Sequence, residues 1–138
     1  MHVYDSNHGL FVRLDAGEEI ITTLGALAAD RDIPGAVFSG IGAVHRTTLG
    51  YFELGKREYL RREFPDEMEL VTCHGNLTWV DGAPLIHAHA TIAGADYVAH
   101  AGHLFSAEIA VTGEFFFHAT DLRLGRSLDA RTGLKLIE

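Results

Sequence analysis

The stretch Glu69-Leu70-Val71-Thr72-Cys73-His74-Gly75-Asn76-Leu77-Thr78-Trp79-Val80-Asp81-Gly82-Ala83-Pro84-Leu85-Ile86-His87-Ala88-His89-Ala90-Thr91-Ile92 decides the fold. Asp81-Gly82 separates two runs rich in β-branched, aromatic and apolar residues. An Asp-Gly pair readily takes the positive φ angles that a tight hairpin requires. Two antiparallel strands are therefore predicted. Side chains alternate between the faces of a strand, so His87 and His89 project side by side from one face. After a Gly94-Ala95-Asp96 turn, a return strand from Tyr97 to Leu104 would bring His103 alongside them.

The same reading extends outward in both directions. Strands are predicted at Leu10–Leu14, Ala36–Val44, Thr47–Leu54, Glu58–Phe64, Glu69–Val80, Leu85–Ile92, Tyr97–Leu104 and Glu108–Ala119, punctuated by Gly, Pro and Asp. One helix is predicted between the first two. Asp15 is its expected N-cap, with Glu18 and Glu19 in the first turn where acids favour the helix dipole. Ile20, Leu24, Leu27 and Ala28 form an apolar stripe at helical spacing, and the helix should end near Arg31, before Pro34-Gly35. The expected class is α+β, an antiparallel β-sheet of about seven strands with one main covering helix. No repeat, low-complexity tract or linker interrupts the chain, so residues 1–138 read as a single domain. Ser39-Gly40-Ile41-Gly42-Ala43-Val44 lacks the following helix of a dinucleotide loop. Close packing or a bulge explains those glycines better.

Length and charge narrow the function. A chain of 138 residues and 15.1 kDa buries enough surface to fold without a disulfide or a structural metal. Any bound metal would then serve function. The single cysteine, Cys73, excludes an internal disulfide and fits a reducing compartment. It lies in an apolar run and reads as a small buried hydrophobe rather than a nucleophile. Nineteen acidic and eleven basic residues give a net charge of −8, the wrong sign for a nucleic-acid surface. Lys56, Arg57, Arg61 and Arg62 form the only basic cluster, diluted by Glu58, Glu63, Asp66 and Glu67, and read as a solvated edge strand or loop. No apolar run is long enough to span a membrane, and Met1-His2-Val3-Tyr4-Asp5 lacks the regions of a signal peptide, so the cytoplasm is the expected location.

Three neutral imidazoles with one coordination position left open form a catalytic zinc arrangement, whereas structural zinc sites are closed by four protein ligands. The residues alone leave two readings of His87, His89 and His103: metal ligands, or ordinary hydrogen-bonded histidines in a chain that has nine. His100 competes as third ligand. It lies three residues before His103, so on an extended strand the two point to opposite faces.

The whole chain resembles the plant and prokaryote conserved (PPC) domain family. The matching features are Gly17-Glu18-Glu19-Ile20, Ser39 to Val44, Leu49-Gly50-Tyr51-Phe52, Gly75-Asn76-Leu77, His87-Ala88-His89, Gly102-His103-Leu104, and a tail from Arg126 through Asp129 to Thr132-Gly133-Leu134. The resemblance implies a compact α+β domain, a homotrimer, and zinc at the three histidines. Acetolactate decarboxylase, in the same fold grouping, is a zinc enzyme whose ligands also form an H-x-H pair with a later His. That likeness carries over His87, His89 and His103 only, and not the substrate. Plant relatives contact DNA through a separate Arg-Gly-Arg-Pro element, which is absent here: Gly125-Arg126-Ser127 lacks the flanking Arg and the Pro.

Two functions follow. The first is a small-molecule metalloenzyme of lyase or hydrolase type. Its zinc, or another divalent transition metal, would act as a Lewis acid toward a small carbonyl or carboxylate compound, or acidify bound water. Glu69, Glu108, Glu114 and His74 are candidates for an accompanying acid or base, each equally readable as an ordinary surface residue. The second is a non-catalytic trimeric interaction or transcription-regulatory module, with direct DNA binding disfavoured by charge. Phe115-Phe116-Phe117 exceeds what one strand face buries, consistent with packing between subunits or with a strand covered on both faces. Metal identity stays open, since histidine sites also accept nickel, copper and iron.

Overall fold

Alternation along the hairpin puts Cys73, Leu77, Ala88 and Ala90 on one side and His74, Asn76, His87 and His89 on the other. The first set is buried and the second is not. A computed structural model covering residues 1–138 shows how the rest of the chain builds around that division. Its elements are β1 (His2–Ser6), β2 (Gly9–Asp15), α1 (Ile20–Asp30), β3 (Gly35–Glu53), β4 (Glu58–Phe64), β5 (Met68–Val80), β6 (Ala83–Ala93), β7 (Ala99–Thr120), β8 (Arg126–Leu128) and β9 (Lys135–Ile137). The expected α+β architecture, an antiparallel sheet with one helix, is what the chain adopts.

The main sheet has seven strands in the order β1-β2-β7-β6-β5-β3-β4, all antiparallel. Pairing of β3 with β7 closes β3, β5, β6 and β7 into a ring. Val44, Leu70, Cys73, Leu77, Ile92, Ile109, Phe115 and Phe117 fill the inner side, and Phe38 stacks on Phe117 with ring centroids 5.0 Å apart. Helix α1 covers β6 and β7 with Ile20, Leu24, Leu27 and Ala28, the stripe read from the sequence. Cys73 is fully buried, and burial pushes its thiol up to about 12, which leaves it no nucleophilic role. No helix is long and apolar enough to cross a membrane.

The hairpin forms where expected. Asp81 and Gly82 have φ of 52° and 82°, and Val80 faces Ala83 across the turn. Of the basic cluster, Arg61 and Arg62 lie on β4, an exposed edge strand, and Lys56 and Arg57 in the turn before it. The glycines at 40 and 42 serve close packing. A Cβ on Gly40 would lie 2.3 Å from the Phe115 ring and 2.8 Å from the Glu114 carbonyl oxygen, and the β3–β5 register shifts between the two glycines.

Several local expectations are corrected. Asp15 does not cap the helix: it ends β2 and is held by the N-terminal amine at 2.9 Å and Arg13 at 2.8 Å. Glu19 is the N-cap instead, so no acid lies in the first turn. Its carboxylate accepts from the backbone N–H groups of Ile21 and Thr22 at 3.1 and 2.8 Å. The helix closes at Arg31, as expected. The strands predicted at 36–44 and 47–54 are one strand, β3, as are 97–104 and 108–119 in β7. Arg46, at φ 49°, and adjacent register shifts bend the chain where a break was expected. A β-bulge kinks a strand without ending its ladder. Strands β1, β8 and β9 were not foreseen.

Glu19 does more than start the helix, because it also accepts the backbone N–H of Ala107 in β7 at 3.2 Å. Replacing Glu19 with Ala removes both the cap and that tie. Urea denaturation should show a loss of about 0.5–2 kcal/mol. An unchanged midpoint would contradict the role assigned to this carboxylate.

Candidate metal centre

Register brings the histidines together. His89 lies opposite His103 across β6–β7, and opposite His74 across β5–β6. Directly opposed residues of antiparallel strands share a face. His87, two residues before His89, shares it too and faces Asn76 on β5. The ligand atoms of His87, His89 and His103 all lie within 4.8 Å of one another. Their ring centroids stand 5.4, 5.2 and 5.6 Å apart, a nearly equilateral triangle. The triangle faces away from the core, because Ala88 and Ala90 fill the inner side between and beyond the pair.

The environment keeps these rings ready to donate lone pairs. Burial, followed by the Arg126 charge, holds His87 below the ordinary histidine range. Burial, then the neighbouring imidazoles and Arg61, lowers His103 from the ordinary 6.5 to about 4. Both are thus neutral near pH 7, the form that binds a metal. The Nδ1 atom of His103 is buried with no hydrogen-bond partner. A buried orphan nitrogen is costly unless something else engages it. Three imidazole nitrogens around one point fit zinc and other late transition metals, and fit calcium or magnesium poorly.

Two walls flank the triangle. On one side the Tyr59 ring lies 5.0 Å from His103 and 4.9 Å from Phe105, whose own ring is 4.8 Å from His103. Arg61 lies over the Phe105 ring, 3.8 Å from its centroid. On the other side Arg126, from β8, donates to Thr78 Oγ1 at 2.7 Å, Asn76 Oδ1 at 3.0 Å and the Lys135 carbonyl at 3.0 Å. Its remaining approach is to His87 Nδ1 at 3.4 Å. A guanidinium can only donate, so this contact is a hydrogen bond only in the tautomer whose Nδ1 carries no proton. The tail is thereby fastened beside the histidines.

The other candidates lie elsewhere. His100 faces Ile92 on β6 and packs on Phe64 at 4.8 Å, so it is outside the group, as strand parity requires. His74 shares the face of His89 without joining the triangle. Glu108 is paired with His45 at 3.2 Å and Arg46 at 3.3 Å. Glu114 is exposed opposite Arg13 and Ile41, and Glu69 lies opposite Ala43 and Ala93. No carboxylate joins the three histidines. Sequence reading did not single out Tyr59, Phe105, Asn76 or Arg126 as site residues. The alternation of Tyr59 and Arg61 on a predicted strand offered a signal, whereas nothing local in the tail ties Arg126 to the hairpin.

The depressed His103 value has a direct consequence for the metal-free protein. Its imidazole should titrate near 4 by nuclear magnetic resonance, against the ordinary 6.5. Between those values the unfolded chain binds more protons than the folded one, so stability rises with pH and falls as the solution is acidified from 6.5 toward 4. A His103 signal titrating at 6.5 would contradict the buried placement.

The chain matches known proteins along most of its length. Its relative from Archaeoglobus fulgidus, a metal-containing protein, is 30% identical, with a TM-score of 0.88 over 98% of this chain and 96% of that one. A plant- and prokaryote-conserved (PPC) protein from Pyrococcus horikoshii is 28% identical, with a TM-score of 0.87 over 100% and 92% of the two chains. A Bacteroides thetaiotaomicron VPI-5482 protein, described as a candidate DNA-binding protein, is 28% identical, with a TM-score of 0.95 over 99% and 96%. No curated protein matches this chain. The profile of the Plants and Prokaryotes Conserved (PCC) domain covers residues 1–121. On that match, the chain belongs to the plant and prokaryote conserved domain family.

Proposed function

We propose that this protein is a homotrimeric metalloprotein that holds one zinc ion per subunit through His87, His89 and His103. We further propose that it acts, in the cytoplasm, as an enzyme of lyase or hydrolase type on a small carbonyl or carboxylate compound. The observation that carries this is the convergence of three imidazoles within 4.8 Å, one with a buried nitrogen that nothing in the chain engages. The similarity to a metal-containing archaeal protein supports the same reading. His87, His89 and His103 would hold the zinc, which would supply Lewis acidity toward an oxygen of a bound compound. The chain's own residues shape the place: Tyr59 and Phe105 wall one side, and Arg126 with Asn76 closes the other.

The trimer is supported by the outward face of the sheet. Val37, Ile41, Val71 and Val111 are all more than half exposed there, and apolar groups in that number favour a partner. The competing reading is a DNA-binding or regulatory module, as the descriptions of some relatives suggest. Placement of the basic residues speaks against it. Arg61 lies over Phe105 and Arg62 over Phe64, so adjacent arginines diverge instead of forming one patch. Net charge of −8 repels a phosphate backbone at long range.

Three measurements test this. Replacing His89 with Ala should reduce metal content sharply, read by elemental analysis after dialysis, while circular dichroism stays unchanged because the core does not involve the metal. Full metal retention in that variant would refute the ligand assignment. Light scattering coupled to gel filtration should give three times the 15.1 kDa subunit mass, and a monomer at micromolar concentration would overturn the trimer. Duplex DNA titrated at physiological salt should bind at micromolar strength or weaker. Submicromolar affinity lost on changing Arg61 and Arg62 to Ala would favour the DNA-binding module.

A further inference from the structure

The charges around the three histidines are all of one sign. Of the eleven basic side chains, Arg13, Arg31, Arg46, Lys56, Arg123 and Lys135 are each paired with a carboxylate. Arg57, Arg61, Arg62, Arg126 and Arg131 have no such partner, and two of these five, Arg61 and Arg126, flank the triangle. Nineteen acidic residues are distributed over this chain, yet none joins the histidine group. A divalent metal at that point would add to two guanidiniums, with no carboxylate in the histidine group to offset them. Of the two, Arg126 is half-buried, and a partly buried charge is unfavourable until a counter-charge arrives.

The orientation of the two arginines suits an oxyanion. The Arg61 guanidinium carbon lies 3.8 Å from the Phe105 ring centroid, and a guanidinium held over a ring by its π-face can still offer its edge N–H groups to a ligand. Arg126 is fixed by Thr78, Asn76 and the Lys135 carbonyl, so little side-chain freedom would be lost on binding. Guanidinium groups grip carboxylate and phosphate oxygens through short, charge-assisted hydrogen bonds.

We infer that the three-histidine site takes a small molecule through an oxyanion, carboxylate or phosphate, held between Arg61 and Arg126. The inference deepens the metal-site reading and rests on it for the place of binding. It also narrows the substrate class: neutral aldehydes and ketones lacking an anionic group should bind poorly.

Calorimetric titration of purified protein with pyruvate and, separately, with inorganic phosphate tests it, each in metal-loaded and metal-free form with metal content measured in parallel. Saturable binding of at least one anion to wild type is expected, and the tighter of the two identifies the oxyanion. Arg61→Gln, an exposed change that should not disturb folding, should weaken it about tenfold, the scale of one charge-assisted contact. Arg126→Gln should do the same or more. Arg62→Gln, whose side chain lies over Phe64 instead, should leave it unchanged. Absence of saturable binding by either anion in both forms would overturn the inference, as would equal weakening by Arg61→Gln and Arg62→Gln. A wild type that retains no metal sinks the metal reading separately, and the metal-free titration then still decides the anion.

Discussion

Everything at the candidate centre depends on the register of three neighbouring strands. His89 is paired with His74 on one side and His103 on the other. A slip of one residue in β6 would turn His87 and His89 into the core and Ala88 and Ala90 out of it. The Asp81-Gly82 turn pins β5 to β6. Glycines then fix how closely the strands approach near the site. A Cβ on Gly75 would meet the His87 carbonyl oxygen at 2.0 Å, and one on Gly102 would meet that of Gly50 at 2.7 Å. These are backbone atoms, which cannot swing aside. Gly75 on β5 and Gly102 on β7 are thus packing requirements of the strands around the three histidines.

The second constraint is electrostatic. Imidazoles gathered on a solvent-facing sheet would ordinarily pick up protons on mild acidification. Here partial burial, mutual repulsion and two nearby guanidiniums keep His87 and His103 in the neutral form. The same features that suit a cation-binding nitrogen set also leave an excess of positive charge once a metal is present. That excess is what the proposed oxyanion would offset.

Much of this was legible in the sequence because strand chemistry is local. The Asp-Gly turn, the period-two alternation of His87 with His89 and the helical stripe from Ile20 to Ala28 each need only a few adjacent residues. His103 was legible because a short turn returns the chain beside β6, and parity distinguished it from His100. What escaped depends on distant parts of the chain. Glu19 displaced Asp15 as helix cap because its carboxylate is also tied to Ala107. The breaks expected near Arg46 and at residues 105–107 became bends because pairing between β3 and β7 runs through them. Arg126 reaches the site from a tail whose pairing with β9 and contact with Thr78 carry no periodic signal.

The central claim is that these three side chains, on strands brought into register, are the ligands of one metal. X-ray absorption at the metal edge of the protein as isolated tests it most directly. The spectrum should fit three imidazole nitrogens at about 2.0–2.1 Å with an exchangeable oxygen neighbour completing the shell. A sulfur neighbour, a shell without imidazole scattering, or an unchanged spectrum in the His103→Ala variant would contradict it.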